Sequence, residues 1–466
     1  MILNQRTPCT CAGWLLLTLA VMSVVLPGCS TFLRPPADLH RYPQQVAPLL
    51  DPATSQQRLI TPELQALLNA DYDRRFFEPW QTLSSPLPAE TVFWGVAEYG
   101  AKIGYGQDLQ PWTPDALQAL IFAQQIDHYP LLDRTAIAIR NTDLRVMPTR
   151  HPFFFNPAKA GEGYPFDYFQ NSAISTGTPL RVTHRSVDGA WYLVEAGHVF
   201  GWLTADVLAW TDAELHTAYQ TGRYAAICQD HQILTGADGE FLAEAHIGNI
   251  FPTTGTDATG HQLLVPVRDA DGQARLRTAT LPSTSAIDKP LPLTAAALAT
   301  VADGMMGQPY GWGGLNQDRD CSALLRDLFA PFGIWLPRNS AEQARQAGNL
   351  VVVDDLSVQQ KQEVLKTQGR PFTTLVWFPG HIGLYLGLSP DDGQPLLFHA
   401  LWGVRTTNWF GESGRQIVGR VVVTSVQPGA ELPGASAQGL WTRMRGFTLL
   451  PRDLSEFLVG PQPPKL

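Results

Sequence analysis

The sequence predicts an α+β protein of several domains, in which a mainly helical segment and two groups of short strands precede a domain of mixed helices and strands. Three observations support this prediction. The chain of 466 residues is longer than one hydrophobic core normally supports. Its middle part alternates short apolar runs with Gly, Pro and Asp, which is typical of small β-barrels. Its last third contains apolar runs with helical spacing, followed by runs with the period of strands.

The N-terminus has the pattern of a targeting segment. Residues 1–28 are predicted to be a signal peptide, because Arg6 precedes an almost uninterrupted apolar run at 14–26. An uncleaved membrane anchor is the alternative, but the run is short for a bilayer span. The following LPGCS stretch resembles a bacterial lipobox, which implies cleavage before Cys29 and a lipid on Cys29. Ser30 favours sorting to the periplasmic face of the outer membrane in a Gram-negative cell.

Four segments are expected before the last domain. Residues 29–60 are rich in Pro, Gln and Asp and are predicted to be a tether. Residues 61–133 are aromatic-rich and partly helical, and we expect them to pack across the other domains. Residues 134–212 hold short strands between turn signals, and residues 222–283 hold a second, more divergent set. The strands expected in these two groups lie at 136–139, 179–182, 191–194, 201–203, 224–228 and 262–268.

Cys321 is the candidate nucleophile of the last domain. A cysteine is nucleophilic as a thiolate, whereas a free thiol with a pKa of about 8.5 is mostly protonated at neutral pH. The run Asp320-Cys321-Ser322 follows a Gly-rich stretch at 311–314, and apolar residues recur behind it with helical spacing. Cys321 is therefore predicted at a helix N-terminus, which favours a thiolate and a developing oxyanion. A buried core cysteine is the alternative, and the polar and glycine neighbours argue against it.

Two histidines downstream can serve this cysteine. His381 opens an alternating run after the Pro379-Gly380 turn signal, and His399 ends a second short apolar run. The two runs predict a β-hairpin, which brings the histidines together on neighbouring strands. One imidazole can accept the thiol proton, and a second polar group can orient it. A lone histidine in a strand is usually structural, whereas two after such a cysteine indicate catalysis.

These motifs resemble those of the NlpC-type cell-wall cysteine peptidases, over residues 293–426. The matching motifs are YGWGG from Tyr310, DCS around Cys321, HIGLYLG from His381, and the later His399. The resemblance implies a papain-like catalytic domain, with Cys321 as nucleophile, His381 as general base and then acid, and His399 as the orienting residue. The phrases DGAWYLV and GWL in the first strand group likewise resemble bacterial SH3-like domains, which implies one SH3-like barrel at 134–212 and a second, more divergent one at 222–283. Residues 427–466 are then a C-terminal extension.

The resemblance also implies a substrate. It implies hydrolysis of the amide between γ-D-glutamate and a diamino acid, in peptidoglycan stem peptides or muropeptides with a free N-terminal L-Ala. Asn339 stands where related enzymes with this specificity carry Asp, so its amide adds no charge for the amine. Asp167 or Glu162, in an aromatic-rich loop of the first strand group, could supply that charge. The residues expected to bind substrate are Tyr310, Asp320, Ser322, Arg338, Asn339, Ser340 and Asp167.

Two alternatives stay open at this point. The same residues could serve an amidase or acyltransferase acting on another wall bond, or the chain could be a catalytically silent peptidoglycan-binding lipoprotein. The complete Cys/His/His set favours an enzyme. For Arg338 and Ser340, a role at the start of a helix is as plausible as substrate binding.

Composition excludes other classes. An apolar content of 44% and a charged content of 16% fit a folded globular protein. The net charge of −9 argues against nucleic acids as partners. The sequence has no zinc-type Cys/His spacing and no Gly-rich phosphate loop, so no metal or cofactor is expected. Cys9 and Cys11 lie in the signal peptide, and Cys228 is expected to be a buried strand residue and not a disulfide partner of Cys321. The sequence does not indicate an oligomeric state.

Overall fold

The computed structural model of the chain describes residues 34–81 and 86–451. The predicted signal peptide, Cys29 and the final part of the predicted C-terminal extension lie outside the described residues. Within the described ranges, no helix has the length and apolar character needed to cross a membrane.

The N-terminal module is helical, as predicted. Thr61 and Thr113 each precede a proline, and each side chain accepts a hydrogen bond from the first turn of the helix that follows. Phe77 packs against Tyr219 and Tyr224, which lie in later parts of the chain. The module therefore joins the domains that follow it. Its helices are α1 (Asp38–Arg41), α2 (Pro62–Phe76), α3 (Glu78–Gln81), α4 (Ala89–Val92), α5 (Trp94–Tyr99) and α6 (Pro114–Ala123).

The first strand group forms one antiparallel sheet with the order β3-β2-β6-β5-β4-β1-β7. The four strands expected in this group are present as β1, β4, β5 and β6. Their inward residues, such as Leu180, Val194 and Leu203, are fully buried. The strands are β1 (Arg134–Ala138), β2 (Thr142–Arg145), β3 (Gln170–Ile174), β4 (Pro179–Arg185), β5 (Trp191–Ala196), β6 (Val199–Thr204) and β7 (Leu208–Trp210).

The second strand group follows α7 (Ala213–Tyr219) and has its own core. It forms a sheet with the order β13-β12-β11-β8-β14 and a two-stranded hairpin of β9 and β10. The two strands expected here are β8 and β12. The strands are β8 (Tyr224–Ile227), β9 (Gln232–Thr235), β10 (Phe241–Ala245), β11 (Ile250–Asp257), β12 (Gly260–Arg268), β13 (Ala274–Leu281) and β14 (Ala286–Asp288).

The last domain packs helices on an antiparallel sheet with the order β15-β20-β16-β17-β18-β19. The predicted hairpin is confirmed as β17 and β18, in which Leu384 pairs with Phe398. The elements are α8 (Ala295–Asp303), α9 (Cys321–Phe329), α10 (Ser340–Gln346), α11 (Val358–Gln368), β15 (Asn349–Val352), β16 (Thr374–Phe378), β17 (His381–Leu388), β18 (Pro395–Thr407), β19 (Ser413–Ser425) and β20 (Gly446–Leu449).

The predicted end of this domain at residue 426 is wrong. β20 lies inside the sheet, hydrogen-bonded to β15 on one side and to β16 on the other. Trp441, Met444 and Phe447 are fully buried in the same core. Residues 427–451 are therefore part of the last domain and not an extension of it.

The predicted tether is also corrected from residue 35 onward. The buried Asp38 accepts hydrogen bonds from the backbone N–H and the hydroxyl of Ser425, at 2.7 and 2.8 Å. Tyr42 and Val46 are buried in the core around α8 and α9. A spacer would leave these apolar groups in water, whereas here they are packed on the last domain.

Candidate active site

Cys321 is the first residue of α9, which confirms its predicted place at a helix N-terminus. The Asp320 side chain caps the helix by accepting the backbone N–H groups of Ser322 and Ala323, at 3.1 and 2.8 Å. Cys321 is only 7% exposed. The cap fixes the direction in which the helix leaves the cysteine, so the thiol position is set by local structure.

The resting thiol is protonated. Burial and then the Asp320 carboxylate raise the pKa of Cys321 to about 12. The backbone N–H of Ile382 donates to the sulfur and opposes the rise. Because Ile382 follows His381, this contact brings the start of β17 to the cysteine. A base must therefore remove the thiol proton during the reaction.

Three side chains form a relay that supplies this base. The Thr424 hydroxyl donates to the carbonyl of Ser425 at 2.7 Å, so it accepts from Nε2–H of His399 at 3.1 Å. Nδ1 of His399 then carries no proton and accepts from Nε2–H of His381 at 2.7 Å. Nδ1 of His381 is left unprotonated, as required of a group that accepts a thiol proton. The predicted pairing of the two histidines is confirmed.

Burial keeps both imidazoles neutral. Burial and then the nearby Arg443 lower the pKa of His381 to about 4. The pKa of His399, which is fully buried, lies well below its ordinary value, because of burial and then His381. At neutral pH the relay therefore carries no net charge.

Gly383 leaves the space in which the histidines meet. An added Cβ at this position would lie 3.2 Å from Cβ of His399 on the neighbouring strand. His381 and Gly383 lie on the same face of β17, two residues apart. Without a side chain at 383, the His381 ring can reach diagonally to His399. This is the physical reason for glycine in the HIG motif.

A charged network lies on the other side of Cys321. Arg338 forms an ion pair with Asp320 at 2.7 Å, and both side chains are nearly buried. The same guanidinium donates to the hydroxyls of Ser322 and Ser172, at 3.1 and 2.8 Å. The network joins the cysteine helix to β3 of the first strand group. Asp320, Ser322 and Arg338 hold the helix through this network. They also line the cavity that contains Cys321, so their predicted substrate contacts stay predictions.

The loop before Cys321 is held by both strand groups. Gly313 and Gly314 have φ values of 62° and 83°, and added Cβ atoms would lie 2.6 Å from atoms of β3. Glycine therefore permits both the left-handed turn and the close approach. On the other side, the buried Arg319 pairs with Asp230 of the second strand group at 2.9 Å. The cysteine position thus depends on contacts outside the catalytic domain.

Two cavities meet at the catalytic residues. The first, which we call the acidic cavity, has a volume of about 700 Å³ and is lined by Cys321, by the acidic residues Glu78, Glu195, Asp320 and Glu342, and by Arg338. The second, which we call the basic cavity, has a volume of about 590 Å³ and is lined by His381 and the guanidinium groups of Arg405, Arg415 and Arg443. Tyr168, Tyr310, Trp312 and Gly380 line both.

Six predicted substrate residues line these cavities, namely Tyr310, Asp320, Ser322, Arg338, Asn339 and Ser340. Tyr310 borders both, and its pKa lies well above the ordinary value because of burial and then Cys321, so its phenol keeps its proton. Asn339 and Ser340 line the acidic cavity. The Asn339 side chain accepts the backbone N–H of Glu342 at 2.9 Å and so caps α10. Its oxygen is partly occupied by this cap.

The prediction for Asp167 is wrong. This side chain is 2% exposed and lines neither cavity. It pairs with Arg145 at 2.8 Å. It also accepts the backbone N–H groups of Phe153 and Phe169, both at 2.9 Å. Its charge is therefore compensated inside the first strand group and is not available to a substrate amine.

Sequence reasoning missed the third member of the relay and the charged walls of the cavities. Thr424 ends a valine run in β19, where threonine is common for its β-branched shape alone. The arginines of the basic cavity come from β18, β19 and the segment before β20, and no local motif joins them. A search for charged residues on the hairpin that follows His399 would have found Arg405 and Arg415.

Other groups with chemical potential lie in the second strand group. His231, Glu244 and His246 have ligand atoms within 4.8 Å of one another, on β10 and at the start of the β9–β10 hairpin. The sequence predicts Cys228 to be a buried strand residue. It is instead a free, half-buried thiol one residue beyond the end of β8. None of these residues lines the two cavities.

Four segments of the chain each match the model of a known protein family. Residues 307–413 match the NlpC/P60 family, and residues 9–129 match the N-terminal stabilising domain associated with it. Residues 152–204 match an SH3 domain of SH3b1 type, and residues 212–258 one of SH3b2 type. These matches confirm the predicted α+β architecture, with a helical module and two SH3-like domains before the catalytic domain.

Two solved structures are similar to this chain, and the first of them agrees with this assignment. An NlpC/P60 endopeptidase from Photobacterium damselae subsp. piscicida is 28% identical, with a TM-score of 0.79, over 88% of this chain and 97% of that one. An NlpC/P60 family protein from Bacillus cereus is 16% identical, with a TM-score of 0.45, over 67% of this chain and 98% of that one. No curated protein matches the chain by sequence.

Proposed function

Because the chain belongs to the NlpC/P60 family of cysteine peptidases, we propose that it hydrolyses peptidoglycan stem peptides with a free N-terminal L-Ala. The bond cut is the amide between γ-D-glutamate and the diamino acid. The observation that carries the proposal is the place of Cys321 and His381, at the junction of an acidic and a basic cavity. A stem with a free amine has a cation at one end and carboxylates at the other.

The chemistry proceeds through a thioester. Nδ1 of His381 accepts the proton of Cys321, and Sγ attacks the γ-carbonyl carbon of glutamate. The backbone N–H of Cys321 and the phenol of Tyr310 donate to the developing oxyanion, since the next N–H groups of α9 are taken by the Asp320 cap. His381 then gives its proton to the leaving amine as the C–N bond breaks. A water that His381 deprotonates attacks the thioester and releases L-Ala-γ-D-Glu, which restores the thiol.

The acidic cavity would hold the N-terminal ammonium group. Asn339 brings no charge, and Asp167 is buried, so the charge must come from other residues. Glu342 lies in the first turn of α10, beside Asn339 and Ser340, and lines the same cavity as Cys321. Glu195 lines it from the first SH3-like domain. A carboxylate that accepts from an ammonium gives a strong, charge-assisted hydrogen bond.

The envelope location is part of the proposal. The lipobox-like sequence supports a lipid on Cys29 and a place on the periplasmic face of the outer membrane. Incorporation of a labelled fatty acid into the protein in cells, and its loss in Cys29→Ala, would test the anchor. Labelling that persists in Cys29→Ala would overturn it.

Mass spectrometry of defined peptides tests the activity. The purified protein and Cys321→Ala would be incubated with L-Ala-γ-D-Glu-diaminopimelate and with the same peptide acetylated on its amine. We expect release of L-Ala-γ-D-Glu from the free peptide by the native protein alone. Glu342→Gln should weaken cleavage of the free peptide, and Glu363→Gln, on α11 outside the cavities, is its matched control. Binding without cleavage would instead favour the wall-binding alternative.

A further inference from the structure

We infer that Arg405, Arg415 and Arg443 form an anion-binding subsite for the carboxylates of the diamino acid on the leaving side of the scissile bond. The inference rests on the proposed function and deepens it. It assigns the basic cavity to the part of the substrate that departs as the free amine. It also assigns the enzyme a preference for a diamino acid whose carboxylates are free.

The first argument is the arrangement of the arginines. Arg405 on β18 is directly opposite Arg415 on β19 in the strand register. Like charges directly opposite on neighbouring strands are unfavourable. Arg443 comes from the segment before β20 and lines the same cavity. Three elements of the fold thus bring three cations to one wall, where a bound anion would relieve their repulsion.

The second argument is the lack of compensating acids. In residues 34–81 and 86–451, none of these three arginines has a carboxylate oxygen within ion-pair distance. Arg443 donates to the carbonyl of Pro379 at 2.7 Å, which holds its position without neutralising it. Burial and then the other two arginines lower the pKa of Arg415, and Glu162 is the acid that opposes this. The Glu162 carboxylate accepts a hydrogen bond from Tyr168. The cavity therefore keeps a net positive charge.

The third argument is the position relative to the chemistry. His381, which protonates the leaving amine in the proposed reaction, lines the basic cavity, whereas Cys321 lines the acidic cavity. The acyl part of the substrate is bonded to Cys321 after the first step, so the leaving part occupies the side of His381. Phe166 and Tyr310 have ring centroids 5.8 and 5.7 Å from that of Trp402. This aromatic wall can contact the aliphatic chain between the two ends of a diamino acid.

The chemistry of arginine suits this ligand. The planar guanidinium donates two parallel hydrogen bonds to one carboxylate. Diaminopimelate carries two carboxylates when it ends the stem, and lysine carries one. The subsite therefore predicts that removal of carboxylate charge from the leaving residue weakens binding.

The test compares matched peptides and variants. The substrates are L-Ala-γ-D-Glu-diaminopimelate with free carboxylates and the same peptide with both diaminopimelate carboxylates amidated. The proteins are the native form, the double variant Arg405→Gln/Arg415→Gln, and Arg420→Gln as a control. Arg420 is an exposed arginine on β19 that lines neither cavity. The readout is the ratio of kcat/KM for the two peptides.

We expect the native protein and Arg420→Gln to prefer the free peptide by at least about tenfold, the worth of one charge-assisted hydrogen bond. In the double variant the ratio of kcat/KM for the free peptide to that for the amidated peptide should fall towards one. An unchanged preference in the double variant, with both peptides cleaved, overturns the subsite and leaves the proposed function intact.

If the native protein cleaves neither peptide, the proposed function fails, and binding decides the subsite separately. Calorimetry with Cys321→Ala would then measure the affinity for the free peptide, with and without the two arginine substitutions. Weaker binding of the free peptide in the substituted form supports the subsite. Equal binding overturns it.

Discussion

Two hydrogen-bonded networks meet at Cys321, and they differ in charge. On the helix side, Asp320 and Arg338 form a buried ion pair. On the strand side, His381 and His399 are neutral because burial lowers the pKa of both. A buried ion pair is costly to break and so holds its partners in place. A neutral imidazole can accept a proton. The comparison separates the network that positions the nucleophile from the network that moves its proton.

The largest effect on stability is expected from the charged network. Arg338→Ala would leave the Asp320 carboxylate buried without its partner, so the free energy of unfolding should fall by about 3–5 kcal/mol. Chemical denaturation would measure this change, with the exposed Arg420→Ala as the control. A loss below about 1 kcal/mol, which is typical of surface pairs, would mean that the two networks do not differ as described.

His399→Ala should act mainly on catalysis. Without its partner the His381 ring loses its fixed tautomer and orientation, and kcat/KM should fall by about a hundredfold, in the range of general acid–base effects. Cys321→Ala should abolish cleavage, since it removes the nucleophile itself. Steady-state kinetics on the stem peptide would rank the two. Equal losses in both variants would show that His399 does more than orient the base.

Thr424→Val tests the end of the relay. Valine keeps the shape but removes the acceptor for Nε2–H of His399, so we expect kcat/KM to fall by about tenfold, the worth of one hydrogen bond. Nitrogen NMR of His399 should show a change of tautomer, which a packing effect alone would not produce. Thr424→Ser, which keeps the hydroxyl, should retain both the native kcat/KM and the native tautomer of His399. Normal activity in Thr424→Val would limit the relay to the two histidines.

The pH profile gives the smallest and most specific test. Because the pKa of His381 is lowered to about 4, its imidazole stays basic until the pH falls through that value. The acid limb of kcat/KM should therefore lie near pH 4, below the ordinary histidine pKa of about 6.5. Arg443→Gln removes a cation that opposes protonation, so this limb should move to higher pH. Arg420→Gln should leave it in place. An acid limb near 6.5 in the native protein would mean that the relay is not neutral.

The lowered pKa of His381 also makes the stability of the fold depend on pH. In the unfolded chain His381 titrates near its ordinary pKa, so between about pH 6.5 and about pH 4 the unfolded state binds more protons than the folded one. The stability that comes from burying neutral histidines is thus lost as the pH falls.

The catalytic core could be predicted from the sequence because its signals are local. Cys321 stands beside its own helix cap, and His381 and His399 stand in two strands joined by a short turn. Thr424 could not be predicted, since it approaches His399 only through the pairing of β18 with β19, in which His399 lies opposite Val422. Asp167 misled the prediction because its loop has the composition of an exposed surface. Its burial depends on Arg145, which no local pattern connects to it.

The short β20 was missed because four residues carry too little periodicity to identify a strand. Its place between β15 and β16 has a consequence for the order of folding. Asn349 pairs with Leu449, so β15 has no partner in the sheet until that distant residue is available. The long loop between Asn349 and Leu449 closes slowly, because its closure costs conformational entropy before the contacts between β15 and β20 can form. The sheet that carries both histidines can therefore be completed only when nearly the whole catalytic domain has been synthesised. A nascent chain lacking β20 would hold the nucleophile on α9 beside an incomplete sheet.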